Sequence, residues 1–99
     1  MILAEITRDN SGSIESFTVK NHGDSYVCGA VSMLVLNTIN SIEALTTQAF
    51  DCDYDESGGY ICFSLKVPKD DGANLLLNAM LLGLTHVQEQ YPREIQLKI

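Results

Sequence analysis

The sequence predicts an α+β fold: a single domain over residues 1–99, with two helices packed on a mixed or antiparallel sheet in the order ββαββαβ. Three observations carry this. Apolar and polar residues alternate in paired segments separated by turn residues, which is the signature of hairpins. Two longer segments change to a period of about 3.6, as half-buried helices do. Ninety-nine residues with 45% apolar and 19% charged content fit one core, and no repeat, linker or low-complexity run divides them. Paired strands with a single helix after each pair favour helices laid over one sheet rather than strict βα alternation.

The elements follow in order. Ile2, Ala4 and Ile6 alternate with Leu3, Glu5 and Thr7; Asp9-Asn10-Ser11-Gly12 supplies a turn, and Ile14 to Val19 returns as the second strand. After the polar segment from Lys20, Asp24 or Ser25 can cap a helix whose stripe is Val27, Val31, Leu34, Val35, Thr38, Ile39, Ile42 and Leu45. Phe50, Cys52 and Tyr54 then alternate with Asp51, Asp53 and Asp55, and Ser57-Gly58-Gly59 turns the chain into a strand where Ile61, Phe63, Leu65 and Val67 share a face. Pro68 stops it. Asp70 or Asp71 caps a second helix marked by Ala73, Leu76, Leu77, Met80, Leu84, Val87 and Tyr91, ending before Pro92. Leu75, Ala79, Leu81 and Leu82 widen its apolar surface beyond one core stripe, and the excess suits either a homodimer contact or complete burial inside the domain. Ile95, Leu97 and Ile99 form a closing strand.

Thirteen acidic and six basic residues give a net charge of −7, the opposite of what a phosphate backbone attracts, so direct nucleic-acid binding is disfavoured. A basic protein partner suits it, because complementary fields raise encounter rates. No uninterrupted apolar run approaches the roughly 18 residues of a membrane span, and the Met1–Glu5 start lacks the features of a signal peptide. A cytoplasmic location is therefore expected. Three cysteines form no framework spacing, so free thiols are expected.

The most informative stretch is His22-Gly23-Asp24-Ser25-Tyr26-Val27-Cys28, a polar loop that holds an imidazole and delivers a cysteine to the first turn of a helix. A helix N-terminus and a neighbouring imidazolium both stabilise a thiolate, which is how proteins activate a thiol as a nucleophile. Unpaired amides at the same helix start can receive an oxyanion. His22 can serve as the base for Cys28, and Asp24 is the nearest carboxylate, either orienting the imidazole or capping the helix. Spacing alone does not separate this from an ordinary small helix residue beside a solvated histidine.

The chain resembles the bacterial ribosomal-processing cysteine protease family, Prp, over nearly its whole length. The residues that carry the likeness are the Met1-Ile2 strand, Asn21-His22-Gly23, the helix opening Cys28-Gly29-Ala30-Val31-Ser32, the Asp55-Glu56-Ser57-Gly58-Gly59 turn and the Glu89-Gln90-Tyr91-Pro92 helix end. The resemblance implies a cysteine endopeptidase that removes a short N-terminal extension from the twenty-seventh protein of the large ribosomal subunit, cutting after an aromatic residue that precedes a small one. It matches His22 and Cys28 to the catalytic pair and implies a homodimer and no cofactor. The loop departs from the family pattern: it is shorter, Asn21 replaces the usual glycine, and Ser25 stands where many members have an aspartate, with Asp24 one residue earlier as its substitute.

Other signals have blander readings. Asp51-Cys52-Asp53-Tyr54-Asp55 is no calcium loop, because Glu56 and Cys62 occupy the positions that need Gly and a bidentate Glu. Its aspartates fit a water-facing strand that discourages edge pairing. Cys52 and Cys62, opposite one another in a hairpin turning about Ser57, read as small core residues before they read as zinc ligands. His86 reads as a solvated or interface residue. The alternative to an enzyme is a non-catalytic dimeric module that binds a basic ribosomal partner through its acidic face.

Overall fold

In the computed structural model, which describes residues 1–99, the chain folds as β1 (Ile2–Arg8), β2 (Ile14–Lys20), α1 (Ser25–Leu45), β3 (Phe50–Tyr54), β4 (Tyr60–Leu65), α2 (Asp71–Gln90) and β5 (Ile95–Lys98). The five strands make one sheet in the order β3-β4-β2-β1-β5. It is mixed: β1 pairs parallel with β5, and the remaining pairs are antiparallel. β3 and β5 are therefore the edges.

Alternation puts one row of side chains under the helices. Ala4 pairs with Val19 and Val19 with Ile61; Ile6 pairs with Phe17, and Phe17 with Phe63, whose rings stack at 5.1 Å. The register shifts between Thr7 and Arg8, which lets Ile14 and Phe17 both reach the core although three positions apart. Strict alternation does not foresee that bulge.

Both helices are capped by aspartates. Asp24 Oδ1 accepts from Tyr26 N, and Asp70 Oδ1 accepts from the amides of Gly72 and Ala73. The stripe of α1 buries Val27, Val31, Val35, Thr38, Ile39 and Ile42, while Leu34 is half-buried where Gly83 lets α2 approach. The expectation fails at Leu45, which is exposed, because the helix ends there and Thr46 turns the chain away. By length and composition α1 is also long and apolar enough to cross a membrane, which corrects the reading from uninterrupted runs. Its apolar stripe is nevertheless packed into the core. On α2, Leu81 joins Ala73, Leu77, Met80 and Leu84 in the core, whereas Leu75 and Leu82 face outward.

β4 ends at Leu65, so Val67 is no strand residue and lies exposed. The two cysteines of the hairpin do not oppose one another: Cys52 pairs with Phe63 and Cys62 with Asp53, which places them on opposite faces of the sheet. Neither is fully buried. Cys62 is half-buried beside the Thr18 hydroxyl, and Cys52 is exposed because no helix covers the β3 edge. Two polar ties brace the loops. Buried Gln48 donates through Nε2 to the carbonyls of Ala49 and Lys66 and accepts from Asp70 N, joining the α1–β3 and β4–α2 connections. Lys69 Nζ lies 2.6 Å from Asp9 Oδ2 and 3.5 Å from Glu15 Oε2.

Two outcomes follow for stability. Leu77→Ala should cost about 2–5 kcal/mol in urea unfolding, while Leu75→Ala on the outer side of the same helix should change little. The Lys69 ammonium, helped by Ser11 and Ser13, holds the Asp9 carboxyl well below the usual carboxylate range. Asp9 thus gives up its proton more readily folded than unfolded, so its contribution is full above about pH 5 and falls away as pH drops below about 4. Asp9→Asn should therefore lower the urea midpoint at pH 7, and the difference from the unsubstituted protein should shrink steadily under acid titration.

Candidate active site

The loop between β2 and α1 is short and held at each of its residues. Asn21 leaves the strand with φ of 72°, a left-handed conformation that Asn tolerates better than most side chains, and its amide donates to Gly59 O at 3.0 Å. The carbonyl of His22 accepts from the Met1 ammonium at 3.1 Å. Asp24 N donates to Glu94 Oε2 at 2.8 Å. The Gly23 amide donates to Cys28 Sγ at 3.2 Å.

Cys28 closes the first turn of α1, its amide bonded to Asp24 O at 2.8 Å. Side chains on a helix lean toward its N-terminus, so the half-buried sulfur points back over the loop, 3.2 Å from the Gly23 amide and 3.7 Å from the Gly23 carbonyl. Asp24, for which two roles were open, takes the N-cap role through Tyr26 N. Its carboxylate makes no hydrogen bond to His22.

His22 and Cys28 line one cleft of about 670 Å³ that runs between α1 and the β3–β4 hairpin. No hydrogen bond joins imidazole and sulfur directly, since the sulfur is engaged by Gly23. Catalytic contacts of this kind are commonly completed only when substrate sits between the partners. The imidazole rests against Gly59, where a Cβ would come within 3.0 Å of Nε2. Periodicity and turn chemistry reveal only that Ser57-Gly58-Gly59 makes a turn. Gly58, with φ of 84°, satisfies that turn by itself, and the second glycine is the available hint that something must pass close by.

The cleft floor is apolar, with Val31, Val35, Ile39 and Ile61, and its outer rim carries Tyr54, Asp55, Glu56 and Tyr60. No lysine or arginine lines it. Such a volume, with an apolar floor and few polar groups at one end, suits an extended peptide segment with a large apolar side chain. Cys52 lies in the same cleft, but desolvation first, then Asp53 and Cys62, push its thiol above the ordinary value and keep it protonated at neutral pH. His86 stays exposed on α2, away from the cleft. Glu94 carries no sequence signal for its part in the site, since it approaches from the start of β5.

Comparison with known proteins agrees with this fold. The ribosomal processing cysteine protease Prp of Bacillus subtilis is 30% identical over 101 residues, spanning 92% of this chain and 90% of that protein. The crystal structure of an essential ribosomal processing protease Prp from Staphylococcus aureus, in complex with a covalently linked product peptide, superposes with a TM-score of 0.95 at 30% identity, covering 99% of this chain and 98% of that one. The same protease in complex with a substrate peptide gives 0.93 at 28% identity, again over 99% and 98%. The family model for cysteine protease Prp matches residues 1–96, and the chain described here belongs to that family.

Proposed function

We propose that this chain is a cytoplasmic endopeptidase that removes the N-terminal extension of the twenty-seventh protein of the large ribosomal subunit, with Cys28 as nucleophile and His22 as general base. The observation that carries the reading is that His22 and Cys28 line the same peptide-sized cleft, with the sulfur held at a backbone amide beside the start of α1. Substrate lies along the cleft with its aromatic side chain over the apolar floor. The Cys28 sulfur attacks the carbonyl carbon, and the proton it sheds goes to His22. Asp24 occupies the Tyr26 amide, leaving the other first-turn amides, those of Ser25 and Val27, to receive the oxyanion. As the tetrahedral species collapses, the C–N bond breaks and His22 protonates the leaving amine; water then hydrolyses the thioester. Asp24 acts through the helix start that it caps.

The cleft rim favours a basic substrate. Asp55 and Glu56 stand at its mouth with no counter-charge from the lining, on a protein of net charge −7. Family relatives named for ribosomal processing, one bound to a substrate peptide, support a ribosomal protein as that substrate.

Cleavage and labelling test this reading together. Cys28→Ala should lower kcat by about 10⁴-fold or more on a peptide with an aromatic residue followed by a small one, and His22→Ala by about 10²–10⁴-fold. Iodoacetamide near neutral pH should modify Cys28 much faster than Cys52 or Cys62 in the folded protein. Equal, slow modification of the three thiols, with cleavage surviving Cys28→Ala, would instead favour a non-catalytic binding module.

The same reading includes a homodimer, with the outward Leu75 and Leu82 of α2 as its contact. Sedimentation equilibrium should return twice the 10.9 kDa chain mass, and Leu82→Glu should shift it toward the monomer. A monomer at all accessible concentrations would remove the dimer from the account.

A further inference from the structure

We infer that Glu94 is a positioning residue for the nucleophile, fixing the cysteine-bearing end of α1 from 70 residues away in sequence; the inference rests on Cys28 being that nucleophile. A helix whose N-cap side chain bonds forward commonly has a glutamate at its third residue reaching back to the N-cap amide. In α1 that third residue is Val27, which is buried in the core and has no acceptor to offer. Glu94 supplies the missing acceptor: its Oε2 takes the Asp24 amide at 2.8 Å.

The carboxylate is presented from a braced backbone. Glu94 N donates to Tyr91 O at 2.9 Å, and Glu94 O accepts from Ile2 N at 2.8 Å, so the residue is tied both to the end of α2 and to β1. At the other end of the same turn, the Tyr91 ring packs 6.1 Å from that of Tyr26 in the first turn of α1. Residues 91–94 therefore hold Asp24 and Tyr26 together. Glycine at position 23 permits this close approach, since a Cβ there would meet Glu94 Oε2 at 3.0 Å and Glu94 O at 3.1 Å.

From Asp24 the path to the sulfur is short. Asp24 O accepts the Cys28 amide at 2.8 Å, and the neighbouring Gly23 amide reaches the sulfur at 3.2 Å. Release of the Asp24 amide frees the corner that sets the direction of the sulfur. Attack on a carbonyl is sensitive to displacements of about 1 Å, so the loss should fall on turnover rather than on binding along the remote cleft.

The test compares Glu94→Ala with Glu94→Gln, which keeps an oxygen at the same reach. In folded Glu94→Ala, kcat and the alkylation rate of Cys28 should each drop about tenfold or more, with KM within about threefold, and Glu94→Gln should keep both rates within about threefold of the starting protein. Unchanged kcat and alkylation in Glu94→Ala, a loss confined to KM, or Glu94→Gln as damaged as Glu94→Ala would each overturn the inference. Should Glu94→Ala not fold, Glu94→Asp keeps the charge but draws the oxygen back by one methylene from the Asp24 amide; slowed alkylation of Cys28 supports the inference and an unchanged rate overturns it. Measuring Cys28→Ala alongside keeps the two claims apart: if it still cleaves, the nucleophile assignment fails, and if it is dead while Glu94→Ala is unaffected, only the role of Glu94 fails.

Discussion

A helix begins with amides that have no carbonyl behind them, and the site depends on how the first turn of α1 meets that deficit. The chain meets it partly from within, with Asp24 accepting Tyr26 N, and then carries the pattern one residue outward, where the Gly23 amide donates to the Cys28 sulfur. The thiol is thereby part of the capping arrangement. A cysteine placed mid-helix on the same face would have no donor of this kind to meet, because the amides there are committed to the i−4 carbonyls.

The cleft has an equally simple origin. Sheet order places β3 at an edge, and α1 crosses the sheet so that Val31, Val35 and Ile39 reach the core on one side and line the cleft on the other. Nothing covers the outer half of the β3–β4 hairpin, which is why Cys52 and Tyr54, on the same side as buried Phe63, stay accessible. A groove forms where an edge strand outruns its helix. His22 enters it at the end where β2 turns away, and Gly59 in the adjoining hairpin leaves the ring its space.

Much of this is legible in the sequence because it is local. The two helices, both hairpins, the aspartate caps and the delivery of a cysteine to the first turn of α1 just after a loop histidine are all written in spacings shorter than a turn or two of chain. What escapes is set by partners far along the chain. Gln48 gives no sign that it will be buried between two loops, and Glu94 looks like any alternating polar residue before a short strand. The bulge at Thr7/Arg8 and the register of Cys52 and Cys62 likewise depend on cross-strand geometry that period-two alternation does not encode. The loop's order is likewise set from afar, since each of its four residues is tied to a different part of the molecule or to the sulfur itself.

The central claim is that one sulfur forms the covalent bond to substrate. Acid-quenched intact-mass and peptide-mapping spectrometry during turnover of an activated ester substrate tests it most directly. The account predicts an acyl adduct on the peptide containing Cys28 that appears before steady state and is lost on chasing with hydroxylamine. Product accumulating with no adduct, or with the adduct on Cys52 or Cys62, would contradict it.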